Sequence, residues 1–118
     1  MMIALELPDP PSLNHYWRMV NVPGQGVRIL KSREGRDYQA TVRRLAQGQG
    51  VQPLEGELQV RIIWRRQYRR GDLDNKLKVV LDALKGIAWK DDAQIAAISA
   101  ERITTGEPSS LRLEASVL

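Results

Sequence analysis

No cysteine occurs in the 118 residues, which removes disulfides, thiolate nucleophiles and cysteine-built zinc sites. The absence is compatible with a reducing compartment. Phenylalanine is also missing, and aromatic residues total only 5%, too few for a platform that stacks single-stranded bases. His15 is the sole histidine and reads as an ordinary loop residue. No apolar run approaches the roughly 18 residues of a membrane span. The opening MMIALELPDPPS lacks both the basic region and the long apolar segment of a signal peptide. These absences read as a cytoplasmic protein without a membrane partner.

Charge is what the chain has in quantity. Charged residues make up 27% and apolar residues 42%, a globular balance, and the length fits one domain over residues 1–118. Net charge is +4 with a pI of about 9.8, a footprint common among nucleic-acid-binding domains. The cations fall in two groups. Arg33, Arg36, Arg43 and Arg44 form one, and the stretch from Arg61 to Lys78 forms the other. Two such clusters could follow phosphates along separate strands, or be solvated faces.

Periodicity places the elements. IALEL, residues 3–7, alternates as a short strand, and the three prolines of PDPPSLN stop it and exclude an immediate helix. NVPGQG reads as a flexible turn. Ser32 caps a helix running to about Gln47, with Tyr38, Val42 and Leu45 as its buried stripe. ELQVRIIWRR alternates as a half-buried strand with Leu58, Val60, Ile62 and Trp64 inward and a cationic opposite side. A second helix runs from about Asp74 to Lys85 on Leu77, Val80, Leu81 and Leu84, stopped by Gly86. QIAAISAERIT and LRLEASV are strands joined by a short turn, the last with Leu111, Leu113, Ala115 and Val117 inward. The result is an α+β, or mixed α/β, domain: a small mixed sheet of about four strands with two main helices.

Within the most basic stretch, RRQYRRGDLDNKLK, stand two carboxylates, Asp72 and Asp74. Either could simply cap the helix or complement its dipole. Yet Asp74, Lys78 and Asp82 form one polar column at four-residue spacing, and WKDDAQ adds Asp91 and Asp92. If the chain turns at Gly86 and returns along the helix start, these acids meet. Several carboxylates together stay ionised only with cations among them. Oxygen-only ligands suit Mg²⁺, with Mn²⁺ as a substitute. A bound ion would activate water for phosphodiester hydrolysis, with Lys78 stabilising charge on the phosphate. Arg65, Arg66, Arg69, Arg70 and Lys76 would draw a DNA backbone toward the acids. An EF-hand fails here because Leu77 stands where that loop needs glycine.

PPSLNHYWR, GDLDNKLKVVLDALKG and WKDDAQI, in that order, resemble the RusA family of Holliday junction resolvases. The resemblance spans nearly the whole chain. It implies a homodimeric, Mg²⁺-dependent endonuclease that binds four-way DNA junctions and nicks two opposing strands. It further implies that Asp72, Asp74 and Asp92 are the essential carboxylates and Lys78 the essential lysine, with Asn75 and Asp91 in support. Asn14 and Arg18 fall near the family's N-terminal motif, where phosphate contact is the expectation. Gly71 interrupts a basic run that some members keep unbroken. Trp64 is expected in the core or a dimer interface, Trp89 beside the acidic pair, and Asp82 as an ion-pair partner of Lys78. Two competing readings are a non-catalytic junction binder and a nuclease acting on other branched or hybrid substrates.

Overall fold

The computed structural model describes residues 2–118. Its central sheet holds four strands: β1 (Met2–Pro8), β4 (Leu58–Arg66), β5 (Ile95–Thr104) and β6 (Ser110–Val117), in the order β1-β6-β4-β5. β6 pairs antiparallel with both β1 and β4, while β4 and β5 run parallel. Such a parallel pair needs a long crossover, and helix α3 (Leu73–Leu84) lies within it. Helix α2 (Arg33–Gly48) completes the helical layer. The architecture is therefore α+β, with two main helices and a mixed four-stranded sheet, as the periodicity predicts.

The register explains the core. Three rows of apolar side chains cross the sheet: Leu7–Leu111–Trp64, Leu5–Leu113–Ile62 and Ile3–Ala115–Val60. All nine are buried, and they meet Tyr38, Val42 and Ala46 of α2 and Val79, Val80, Ala83 and Leu84 of α3. Strict alternation along β4 and β6 is what puts every second side chain into these rows. Leu45 is exposed; Ala46, four residues after Val42, is the third buried member of the α2 stripe. Val117 lies at the open end of β6 and is also exposed.

Three features differ from the sequence expectations. A single helical turn, α1 (Leu13–Tyr16), begins directly after Ser12. Proline is tolerated before a first helical turn because the nitrogens there lack intrahelical partners. NVPGQG is a turn as read, but it joins two strands the sequence does not mark, β2 (Trp17–Val22) and β3 (Gly26–Lys31), into an antiparallel hairpin. Finally, β5 and β6 do not pair with each other. Their connection steps over the end of β4, where Thr105 N–H donates to Arg66 O and Gly106 N–H to Gln67 O, and Gln67 N–H donates to Ser109 Oγ.

The side of β4 read as cationic is neutralised. Arg61 pairs with Glu101 and Glu114, Arg65 with Glu6 at 2.9 Å, and Arg112 with Glu6 and Glu114. The hydrogen bond from Arg65, with Arg112 adding to it, holds the Glu6 carboxyl below the usual carboxylate range despite some desolvation.

Candidate acidic site and its cationic surround

Asp72 occupies the N-cap position of α3, with extended backbone, but its side chain makes no capping hydrogen bond. Asp74 lies in the first turn of the helix. Both are exposed, and among the described residues neither carboxylate takes part in a hydrogen bond or ion pair. The capping explanation therefore does not account for Asp72. Its oxygens, like those of Asp74, stay free at a helix N-terminus, where the dipole favours negative charge. Lys78 is exposed one turn further along, also with no acidic partner among the described residues. Asn75, beside Asp74, is partly buried.

The column Asp74–Lys78–Asp82 divides at its far end. Asp82 does not pair with Lys78. It accepts the buried Tyr16 hydroxyl and meets Lys31 Nζ at 3.2 Å, tying α1, β3 and α3 together. Burial pushes the Tyr16 hydroxyl well up, and the Asp82 carboxylate adds to the effect, so Tyr16 remains a protonated donor.

Asp91 and Asp92 stand elsewhere. Asp91 accepts from Ala93 N–H at 3.0 Å, and Gln94 closes the other half of a capping box around the 3-10 turn Asp92–Gln94. Trp89, fully buried, donates its indole N–H to Asp92 Oδ1 at 2.7 Å. Trp89 thus fixes the second acid of the pair, in keeping with the sequence expectation. Trp89 is itself bound to the C-terminal end of α3, through Gly86 N–H to Trp89 O and Ala88 N–H to Leu84 O.

Asp92 consequently lies at the opposite end of α3 from Asp72 and Asp74. Twelve helical residues span about 18 Å. The sheet gives the same answer. Asp72 follows the C-terminal end of β4, whereas Asp92 precedes β5, whose start pairs with Leu58 at the other end of β4. The proposed return along the helix start does not occur, because β5 is parallel to β4 and starts where β4 starts. Among the described residues no group of three or more histidine, cysteine, aspartate or glutamate side chains is placed to share a metal ion.

The loop before Asp72 packs around Trp64. The Trp64 indole N–H donates to Asp9 Oδ1 at 2.9 Å. Lys76 Nζ lies 5.2 Å from the Trp64 ring centroid, bonds Pro10 O and meets Asp9 at 3.4 Å. Two cations expected to face DNA are therefore paired with acids of the protein itself: Lys76, largely covered, with Asp9, and Arg65, on the surface, with Glu6. Arg66 bonds Thr104 Oγ1 and reaches the carbonyls of Arg70 and Gly71, with no acidic partner among the described residues. Arg69 and Arg70 are exposed, with the Arg70 guanidinium 5.7 Å from the Tyr68 ring. An open cleft of about 400 Å³, lined in part by Asp9, Ser12, Trp64, Arg66 and Arg70, adjoins this loop. Asn14 and Arg18 are exposed and line a separate groove with Trp17, Met19 and Ile29.

Asp72 and Asp74 fit a hard divalent ion. Mg²⁺ commonly takes one or two carboxylates and leaves its remaining positions to water and phosphate oxygens, and these two acids have uncommitted oxygens beside unpaired arginines. The family model of the endodeoxyribonuclease RusA matches residues 8–114. The chain belongs to that family of nucleases. None of the curated proteins compared with it matches.

Proposed function

We propose that this chain resolves four-way DNA junctions as a homodimeric, divalent-metal-dependent endonuclease, nicking two opposing strands in recombination and repair. The observation that carries the reading is the pair of uncommitted carboxylates, Asp72 and Asp74, beside the unpaired cations of residues 66–70 in a chain of the RusA family.

Asp72 and Asp74 would hold the ion, Mg²⁺ or in its place Mn²⁺, with Asp92 of the partner subunit as the third carboxylate. When bound, the ion supplies Lewis acidity toward a phosphate oxygen and lowers the pKa of water. The chain's own residues do the rest. Arg66, Arg69 and Arg70 draw in the backbone and hold it against the acids by charge. Lys78 sets a cation one helical turn from Asp74, where charge grows on the phosphate during displacement. Trp89 and the capping box built on Asp91 fix the direction of the Asp92 carboxylate. Asn75 supports Asp74 from the same helical turn. Recognition of this kind reads backbone charge and junction shape more than bases.

Complementation between two inactive variants tests the arrangement. Asp72→Asn and Asp92→Asn should each lose nicking of a synthetic four-way junction by at least about 100-fold, the scale of removing one strong transition-state interaction, while junction binding persists. Denatured and refolded together, the two variants form mixed dimers. If Asp92 acts across subunits, each mixed dimer contains one intact site and single nicks return. Sites confined to one protomer stay inactive in the mixture. Binding without cleavage by the unmodified protein, under Mg²⁺ and Mn²⁺ alike, overturns the nuclease reading.

A further inference from the structure

The β2–β3 hairpin forms a sheet of its own, apart from the four-stranded one. Its root is clamped. Ser32 N–H donates to Tyr16 O at 2.9 Å, and Lys31 Nζ bonds Gln39 Oε1 at 2.9 Å and meets Asp82. Its tip is tight. Pro23 and Gly24, the latter at φ +77°, take the central positions of a turn closed by Gln25 N–H to Val22 O, the residue pair that a type II turn favours. Six residues in each strand give a projection about 20 Å long.

The two faces of this projection differ in chemistry. Residues directly opposite one another share a face. Met19 stands against Ile29 and Asn21 against Val27 on one side; Arg18 against Leu30 and Val20 against Arg28 on the other. Met19, Ile29 and Val27 are 72%, 65% and 61% exposed, and Met19 and Ile29 continue into a groove that Leu13 and Trp17 also line. A contiguous exposed apolar face marks an interaction site. The charge around it has one sign. No Asp or Glu occurs from Pro10 to Arg33, the longest such stretch in the chain. Among the described residues neither Arg18 nor Arg28 has an acidic partner; Arg28 bonds Gln25 Oε1 at 3.0 Å.

We propose that this hairpin inserts at the branch point of bound DNA, with Met19 and Ile29 against base faces opened there and Arg18 and Arg28 on the flanking phosphates. Charge selects the occupant, because an acid-free cationic projection suits a polyanion. A second copy would set its own Arg18 and Arg28 against these. The apolar face selects the part of the DNA. Phosphates offer nothing to Met19 and Ile29, whereas base faces do, and those are accessible only where stacking is interrupted. Met and Ile are among the wedges that proteins push between base steps. Position agrees. Asp82, which anchors Lys31 at the hairpin root, follows Asp74 by two four-residue steps on one helical column, about 12 Å along α3. The hairpin thus rises from the side of α3 that carries the free acids. The insertion deepens the function proposed above; it rests on junction binding there, and not on cleavage.

Fluorescence of 2-aminopurine, which rises when that base leaves its stack, tests the insertion. The base replaces adenine at the branch point of a synthetic four-way junction, and the full chain carries Asp72→Asn so that the DNA stays intact. Binding should raise the signal severalfold at the branch point and leave it unchanged in an unbranched duplex of the same sequence. Met19→Ser with Ile29→Ser, at exposed positions that folding tolerates, should lose the rise with an unchanged far-UV spectrum and melting temperature. Met19→Leu with Ile29→Leu should keep it. Arg18→Ala and Arg28→Ala should each reduce the slope of log K against log salt by about 1. A bound junction without the rise, a rise indifferent to the serine pair, or an equal rise in the plain duplex overturns the insertion. So does a fall in molecular mass with the serine pair, which gives this face to another copy of the chain. Junction nicking by the unmodified protein without any rise removes the insertion alone. A rise in a protein that never cleaves removes the nuclease reading alone.

Discussion

Around Trp64, individual residues that look alike in the sequence have separate duties. Lys76 and Arg69 are both cations of one basic stretch. Lys76 is enclosed by the Trp64 ring, Asp9 and the Pro10 carbonyl, whereas Arg69 is exposed. Lys76→Ala should therefore lower the melting temperature and leave the salt dependence of DNA binding nearly unchanged. Arg69→Ala should do the reverse, reducing the slope of log K against log salt by about 1 with no change in melting. Binding isotherms at several salt concentrations, with thermal melts, separate the two. Gly71 is equally specific. Its φ is +88°, and a Cβ there would lie 2.9 Å from a Trp64 ring carbon. Gly71→Ala should cost about 2–5 kcal/mol, from left-handed backbone at about 1–2 kcal/mol and overpacking against the ring at about 1–3 kcal/mol. Chemical denaturation measures it. The glycine that interrupts the basic run thus lets the chain pass close over Trp64 on its way to Asp72.

Among the elements, α1, β3 and α3 are joined through one carboxylate. Asp82→Ala leaves the buried Tyr16 hydroxyl without its acceptor and Lys31 without its anion, and should cost about 1–3 kcal/mol. Combining it with Tyr16→Phe should recover part of that loss, since the stranded hydroxyl is then gone; a double-mutant cycle in urea reads the coupling. Nothing in the local sequence points to this tie, because the i, i+4 spacing of Lys78 and Asp82 suggests a different partner. The strands and helices were legible in proportion to how one-sidedly they are buried. β4, β6, α2 and α3 each press one face on the core, so their periods of 2 and 3.6 stand out. The β2–β3 hairpin was not legible, since Met19 and Ile29 are 72% and 65% exposed and no burial contrast marks its alternation. Of the site, the paired carboxylates and their cationic loop could be read directly. The distance to Asp92 could not, because it depends on β5 running parallel to β4, and strand direction leaves no trace in periodicity. The short β5–β6 connection invited a hairpin, yet five residues suffice to step across the end of one strand.

For the whole molecule, the decisive feature is the position of β6. It pairs with β1 on one side and with β4 on the other, and supplies Leu111, Leu113 and Ala115 to the three core rows. Deleting residues 110–118 should accordingly abolish cooperative thermal unfolding, monitored by far-UV circular dichroism, instead of merely lowering the midpoint. β1 would have no strand to pair with, and β4 would lose its antiparallel neighbour. There is a consequence for biosynthesis. A ribosome releases β6 about a hundred residues after β1, so β1 must wait, solvated and unpaired, while all the residues between them are made. The native sheet closes in a late event, when β6 slots between β1 and β4.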